Sequence, residues 1–219
     1  MGTAPGTAEA SLIYAGNIPN VSGGVGNSQI VLSLSSPRNT SVETGSVSPA
    51  GCTGNSQPPC AAPSNQTPSF DSAGVSSAQD LLILLDAQEP GNDNSLRVDR
   101  LVLNVFAATG QSAAPIASYS LAAPVTVTTC PGQGNNCVNA FRLDAEQAAL
   151  LQAIFATDLR IGLSATLSEA RGGPDRFFLA SAGILPPSPV PAPEPLSLLL
   201  FGSALAGLGL VRGLRPGQG

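Results

Sequence analysis

Histidine, lysine and tryptophan are absent from this 219-residue chain, and methionine occurs once. Without histidine the usual general base, the commonest metal ligand and the base partner of a serine or cysteine nucleophile are all missing. Without lysine there is no Schiff-base chemistry. Charge is scarce too: 11% of residues are charged and the net charge is −5. Every basic residue is an arginine, scattered singly or in loose pairs, whereas a nucleic-acid surface needs a basic stripe to release counterions from phosphates. Nucleic acid is therefore not an expected partner. Aromatic residues make up 4%, with Tyr14 and Tyr119 the two tyrosines. An extended glycan groove built on stacking rings is not expected, and Phe106, Phe155, Phe177 and Phe178 are assigned to the core. These absences point away from an enzyme, a cofactor and a dedicated metal centre.

Glycine and proline are plentiful, with 24 and 20 copies, which favours short strands and many turns over long helices. Alternating or β-branched runs predict strands at 11–16, 28–36, 79–87, 95–109, 116–122, 124–129, 159–168 and 175–183. In the 95–109 run, Leu96 and Val98 share one parity while Leu101, Leu103 and Val105 share the other. A bulge near Asp99–Arg100 would bring all five to one face. Residues 37–69 are rich in Pro, Ser, Thr and Asn and predict a long loop. A single helix is signalled after Asp144, which can cap the first turn, with Gln147 placed to complete a capping box. Its packing side is predicted as Ala148, Leu151, Ala153, Ile154 and Phe155. The fold class is mainly β: a β-sandwich-like domain over residues 1–184 with one inserted helix.

Composition changes abruptly at Leu185. Residues 185–195, "LPPSPVPAPEP", form an extended spacer, because proline lacks the amide hydrogen and fixes φ. Residues 196–211, "LSLLLFGSALAGLGLV", are uncharged. As a helix they would run about 24 Å against a hydrocarbon core of about 30 Å. A transmembrane helix is expected, with a buried core helix as the alternative. Arg212 and Arg215 in the tail 212–219 would stay cytoplasmic, placing residues 1–195 across the inner membrane, in the periplasm.

Pro193-Glu194-Pro195, a short glycine-containing apolar helix and an arginine-bearing tail together resemble the PEP-CTERM protein-sorting signal of Gram-negative bacteria. The likeness covers residues 193–219. It departs from the pattern in having spaced arginines and a trailing "PGQG". Residues 141–181 are also similar to the ends of ectodomains that precede this signal. The resemblance implies a substrate of an exosortase, a membrane-embedded cysteine peptidase. Such a protein is held by its terminal helix, cut near Pro193-Glu194-Pro195, and delivered to the cell surface or exopolysaccharide matrix. The three residues would then be a recognition tag; the plain alternative is a proline linker with Glu194 solvated. The opening residues show no basic n-region and no apolar h-region. Since the tag presupposes export, the reading frame is expected to begin upstream of Met1. Two rival functions are a carboxylate-dependent exported hydrolase, with Asp86 and Asp99 as an example pair, and an unprocessed single-pass membrane protein.

Asp86, Glu89, Asn92, Asp93 and Asn94 crowd one turn with oxygen ligands of the kind calcium takes, but the spacing fits no EF-hand, and these are ordinary turn residues. The cysteines lie in two close pairs, Cys52/Cys60 and Cys130/Cys137. Seven and six intervening residues are too many for a zinc knuckle. Local disulfides would each contribute roughly 2–3 kcal/mol by loop closure, with crossed bridges or free thiols as alternatives. Mass spectrometry of non-reduced peptides should return the 52–60 and 130–137 cross-links; crossed or unmodified peptides would refute local pairing.

Overall fold

The computed structural model describes residues 11–19, 30–36, 40–54, 67–88, 95–110, 112, 114–129, 137–171 and 174–184. Eleven strands and one helix account for its regular structure: β1 (Ser11–Pro19), β2 (Ile30–Leu34), β3 (Val42–Ser48), β4 (Gly51–Gly54), β5 (Leu81–Asp86), β6 (Ser95–Phe106), β7 (Ala117–Leu121), β8 (Val125–Thr128), β9 (Cys137–Leu143), α1 (Ala145–Ile154), β10 (Arg160–Ser168) and β11 (Asp175–Ser181). The chain is mainly β. All eleven strands belong to one sheet, in the order β2-β11-β5-β9-β1-β7-β6-β10-β3-β4, with β8 paired separately to β6. The sheet curls, bringing β2 from one end against β3 and β10 near the other. The connections 87–94 and 169–174, which look like hairpin turns, therefore carry the chain between strands that are not neighbours.

Strand β6 holds the centre. Leu96, Val98, Leu101, Leu103 and Val105 are all fully buried in the core. Opposite it, Thr166 of β10 pairs with Arg100 and Leu167 pairs with Val98, so Asp99 is the extra residue of a bulge. That one-residue insertion reverses the side-chain parity, and apolar residues on both sides of it reach the same face. Strand β5 is buried on both faces. Leu81, Ile83 and Leu85 join the main core. Leu82 and Leu84 lie on the reverse face, in register with Ala180 and Phe178 of β11. A strand buried on both sides reads as a continuous apolar run, which is what "LLILL" is.

Two strands lie inside the segment 37–69 expected to be a loop. Strands β3 and β4 form a hairpin closed by the Ser48↔Gly51 pair. The inward positions of β3 are Glu43, Gly45 and Val47. Only one of those three is an apolar side chain, so the alternation carries little hydrophobic signal. Strand β9 also went unmarked, because polar Asn139 and Arg142 interrupt its apolar positions.

Helix α1 starts as anticipated, with the backbone N–H of Gln147 donating to Asp144 Oδ1 at 2.8 Å. The reciprocal half of the box is not made: the Asp144 N–H donates to Ser11 O instead, and Gln147 Oε1 is buried without a partner. The packing side is Gln147, Ala148 and Leu151, continued by Phe155, whose ring lies 4.8 Å from that of Phe70. Ala153 and Ile154 face outward, contrary to expectation, as does Leu150. The helix ends at Phe155, which turns to extended backbone (φ −64°, ψ 128°), so only one narrow stripe contacts the core.

Gly162 of β10 marks the tightest approach in the sheet. A Cβ there would collide with the Val47 carbonyl oxygen and come within 2.9 Å of the Phe106 ring. Neither backbone nor buried ring can retreat without disturbing its own packing. Gly162→Ala should lower the unfolding free energy by about 3 kcal/mol, measured by urea denaturation. An unchanged midpoint would show that β3 and β10 are not held this closely.

Candidate functional site

Most of the sequence-derived site residues fall outside the described residues. These are Pro193, Glu194, Pro195, Arg212 and Arg215, the span 196–211, and Cys60 and Cys130. Among the described residues no helix is long and apolar enough to cross a membrane. Cys137 begins β9. Cys52, half-buried in β4 against the core, is disulfide-bonded.

Of the oxygen-rich turn, Asp86 is described and residues 89–94 are not. Asp86 ends β5 and is 4% exposed. Its Oδ2 accepts from Gln88 Nε2 at 3.0 Å, while the Gln88 N–H donates to Oδ1 of Asp175, also at 3.0 Å. Gln88 thus ties together two buried carboxylates from adjacent strands. The pairing imagined between Asp86 and Asp99 is not what forms. Asp99 is the bulge residue, on a strand separated from β5 by β9, β1 and β7, and it is ion-paired to Arg97 Nε at 2.9 Å. The bulge turns Asp99 toward that neighbour. Among the described residues no group of three or more His, Cys, Asp or Glu side chains comes together in a way that could hold a metal ion.

The two tyrosines do not form a stacking platform. Tyr119 is buried. Tyr14 leans on Phe141, ring centroids 5.4 Å apart, and donates its hydroxyl to Asn139 Oδ1 at 2.8 Å. Asn139, itself buried, donates through Nδ2 to Thr128 O at 2.9 Å. Burial raises the phenol pKa of both tyrosines. Phe106, Phe177 and Phe178 are core residues, as expected.

A cavity in the described part lies where the chain enters β10, and sequence reasoning did not mark its residues. It measures about 410 Å³ and is lined by Thr67, Ser69, Asp71, Ala108, Thr157, Asp158 and Arg160. One wall is the segment 67–75, stitched to the start of β10 by backbone bonds: Phe70 N–H to Leu159 O, Asp71 N–H to Thr157 O, and Ile161 N–H to Pro68 O. Phe70, fully buried, anchors that wall in the core. Arg160 reaches across with Nε to Thr67 O at 3.2 Å. The segment "TPSFDSAG" and the stretch "TDLR" are ordinary turn sequences, and their meeting is a tertiary event with no local signature.

Asp86 generates a pH prediction. Burial raises its pKa, against the opposing pull of the Gln88 hydrogen bond and the Arg176 charge. A carboxyl whose folded pKa lies above its unfolded value stabilises the fold most when protonated, and that stabilisation is lost as pH rises through the folded pKa. Asp86→Asn keeps an acceptor for Gln88 without the charge. It should match or exceed the wild-type melting temperature at neutral pH, with the difference shrinking as pH falls into the carboxylate range. A variant that melts lower at neutral pH would show that the ionised form is favoured by its surroundings. Comparison with protein-family models, curated proteins and solved structures finds no match for this chain.

Proposed function

We propose that this is an exported, non-enzymatic surface or matrix protein, delivered through a C-terminal sorting signal read by an exosortase. The observation that carries the reading is the order of features at the end of the chain: Pro193-Glu194-Pro195, sixteen uncharged residues, then Arg212 and Arg215. On this reading residues 196–211 cross the inner membrane transiently. The positive-inside rule holds the arginines in the cytoplasm and the large domain outside. On this reading the mainly β domain, one curled sheet around one core, is β-sandwich-like.

Two structural facts support the reading. The compact unit closes at Ile184, immediately before the proline spacer. Cys52 is disulfide-bonded, and disulfides persist in oxidising compartments such as the periplasm and cell surface. The non-enzymatic part of the reading rests on the missing histidine and lysine, which leave few groups for acid–base or nucleophilic work.

Mass spectrometry of the chain produced in a Gram-negative host, with and without an exosortase, tests this. With the peptidase, the mature protein should be lighter by the segment following the cut near residues 193–195 and should leave the membrane fraction. Glu194→Ala should remain at full mass in the membrane. A full-mass protein in the membrane fraction under both conditions would replace processing with permanent anchoring. A full-mass protein in the water-soluble fraction would overturn the whole proposal.

A further inference from the structure

We infer that the cavity at the start of β10 binds a single hydroxyl-rich ring, a sugar or cyclic polyol, held by Asp71, Asp158 and Arg160. The inference stands on the cavity alone and does not depend on the sorting reading.

The charged groups around this space are uncommitted. Neither the Asp71 nor the Asp158 carboxylate accepts a hydrogen bond within the described structure, and neither lies within ion-pair distance of Arg160, although all three line one cavity. Arg160 spends only Nε on the wall, bonding Thr67 O, which leaves its terminal nitrogens as donors. Carboxylates that only accept, a guanidinium that only donates, and the hydroxyl groups of Ser69 and Thr157 thus line an open space of about 410 Å³. That volume falls within the range of small-molecule sites.

The ligand class follows from matching those groups. A sugar hydroxyl donates once and accepts as well, so one ring can give protons to Asp71 and Asp158 while taking them from Arg160. An anionic ligand would meet two carboxylates for one guanidinium. A simple cation would leave Arg160 repelling it. A neutral ligand with both functions on every carbon avoids both penalties. The wall facing it is fixed in advance by the backbone bonds from 67–75 to β10, which reduces the ordering cost of binding. No aromatic face is available, since Phe70 is fully buried beneath the wall. Affinity for a single ring should therefore be in the millimolar range.

Saturation-transfer difference NMR on the full chain, in a sugar-free detergent, provides the test. The probes are methyl α-glucopyranoside, methyl α-mannopyranoside, methyl α-galactopyranoside and myo-inositol. At least one should show saturable transfer at millimolar concentration. Asp71→Asn and Asp158→Asn should each weaken it about tenfold, the loss expected for a hydrogen bond to a charged group. Thr126→Val is the control: it is an exposed position of β8 paired with Arg97, at the opposite end of β6 from the cavity, so the variant should fold and bind like the wild type. A free ring and the terminal ring of a chain share this chemistry; competition by the matching tetrasaccharides assigns the source to chain ends, lack of competition to free rings, and either supports the site. No transfer from any probe, or transfer that both Asn variants leave unchanged, overturns the site. Binding of glycylglycine in place of the sugars overturns the ligand class.

Discussion

The pairing of β6 with β10 is the constraint on which the rest of this molecule depends. These two strands are the longest antiparallel neighbours in the sheet, registered from Arg160↔Phe106 to Ser168↔Arg97. Their shared inner face supplies Leu96, Val98, Leu101, Leu103, Val105, Ile161, Leu163, Ala165 and Leu167 to the core. The face is continuous because Asp99 drops out of the ladder and resets the parity. Without that bulge, Leu96 and Val98 would lie on the opposite face of β6 from Leu101, Leu103 and Val105, and the core would lose part of its central layer. β10 also carries β3 on its other edge, so the close approach at Gly162 and the hairpin beyond it depend on the same register.

Curling solves a second problem. An open sheet of this length would expose one whole face and two edges. Bringing β2 against β3 and β10 encloses the inner face, and the closure is bridged by a polar contact from Ser36 Oγ to Oε1 of buried Glu43, 2.9 Å long. The interior is therefore not purely apolar. Glu43, Asp86, Asn139 and Asp175 are all buried near strand ends or seams, where side chains such as Ser36, Gln88 and Tyr14 reach them. Buried polar groups cost stability unless bonded, and they specify which strands meet at each seam.

The same geometry places the cavity. The segment 67–75 pairs with the start of β10 through the Ser69↔Arg160 bridge, so Arg160 is fixed at once by the sheet and by this wall. Asp158 and Thr157 sit in the short connection from α1, whose length is set by where Phe155 packs on Phe70. A core contact between two rings thus determines where the polar groups above it stand.

Strong hydrophobic periodicity made much of this legible. The β6 bulge was visible as a break in parity and the helix start as the Asp144 cap, because each is encoded by residues close together in the chain. The proposed sorting role rests on the local order of motif, apolar run and arginines at the end of the sequence. Strand β3 was not legible, since Glu43 and Gly45 fill two of its inward positions and only tertiary partners reveal why they are tolerated there. Nor were the outward turn of Ile154, the joining of Asp86 to Asp175 through Gln88, or the gathering of Asp71, Asp158 and Arg160 around one space. Residues far apart in the chain meet only when the sheet curls, and the free energy that selects those meetings belongs to the closed core rather than to any segment of it.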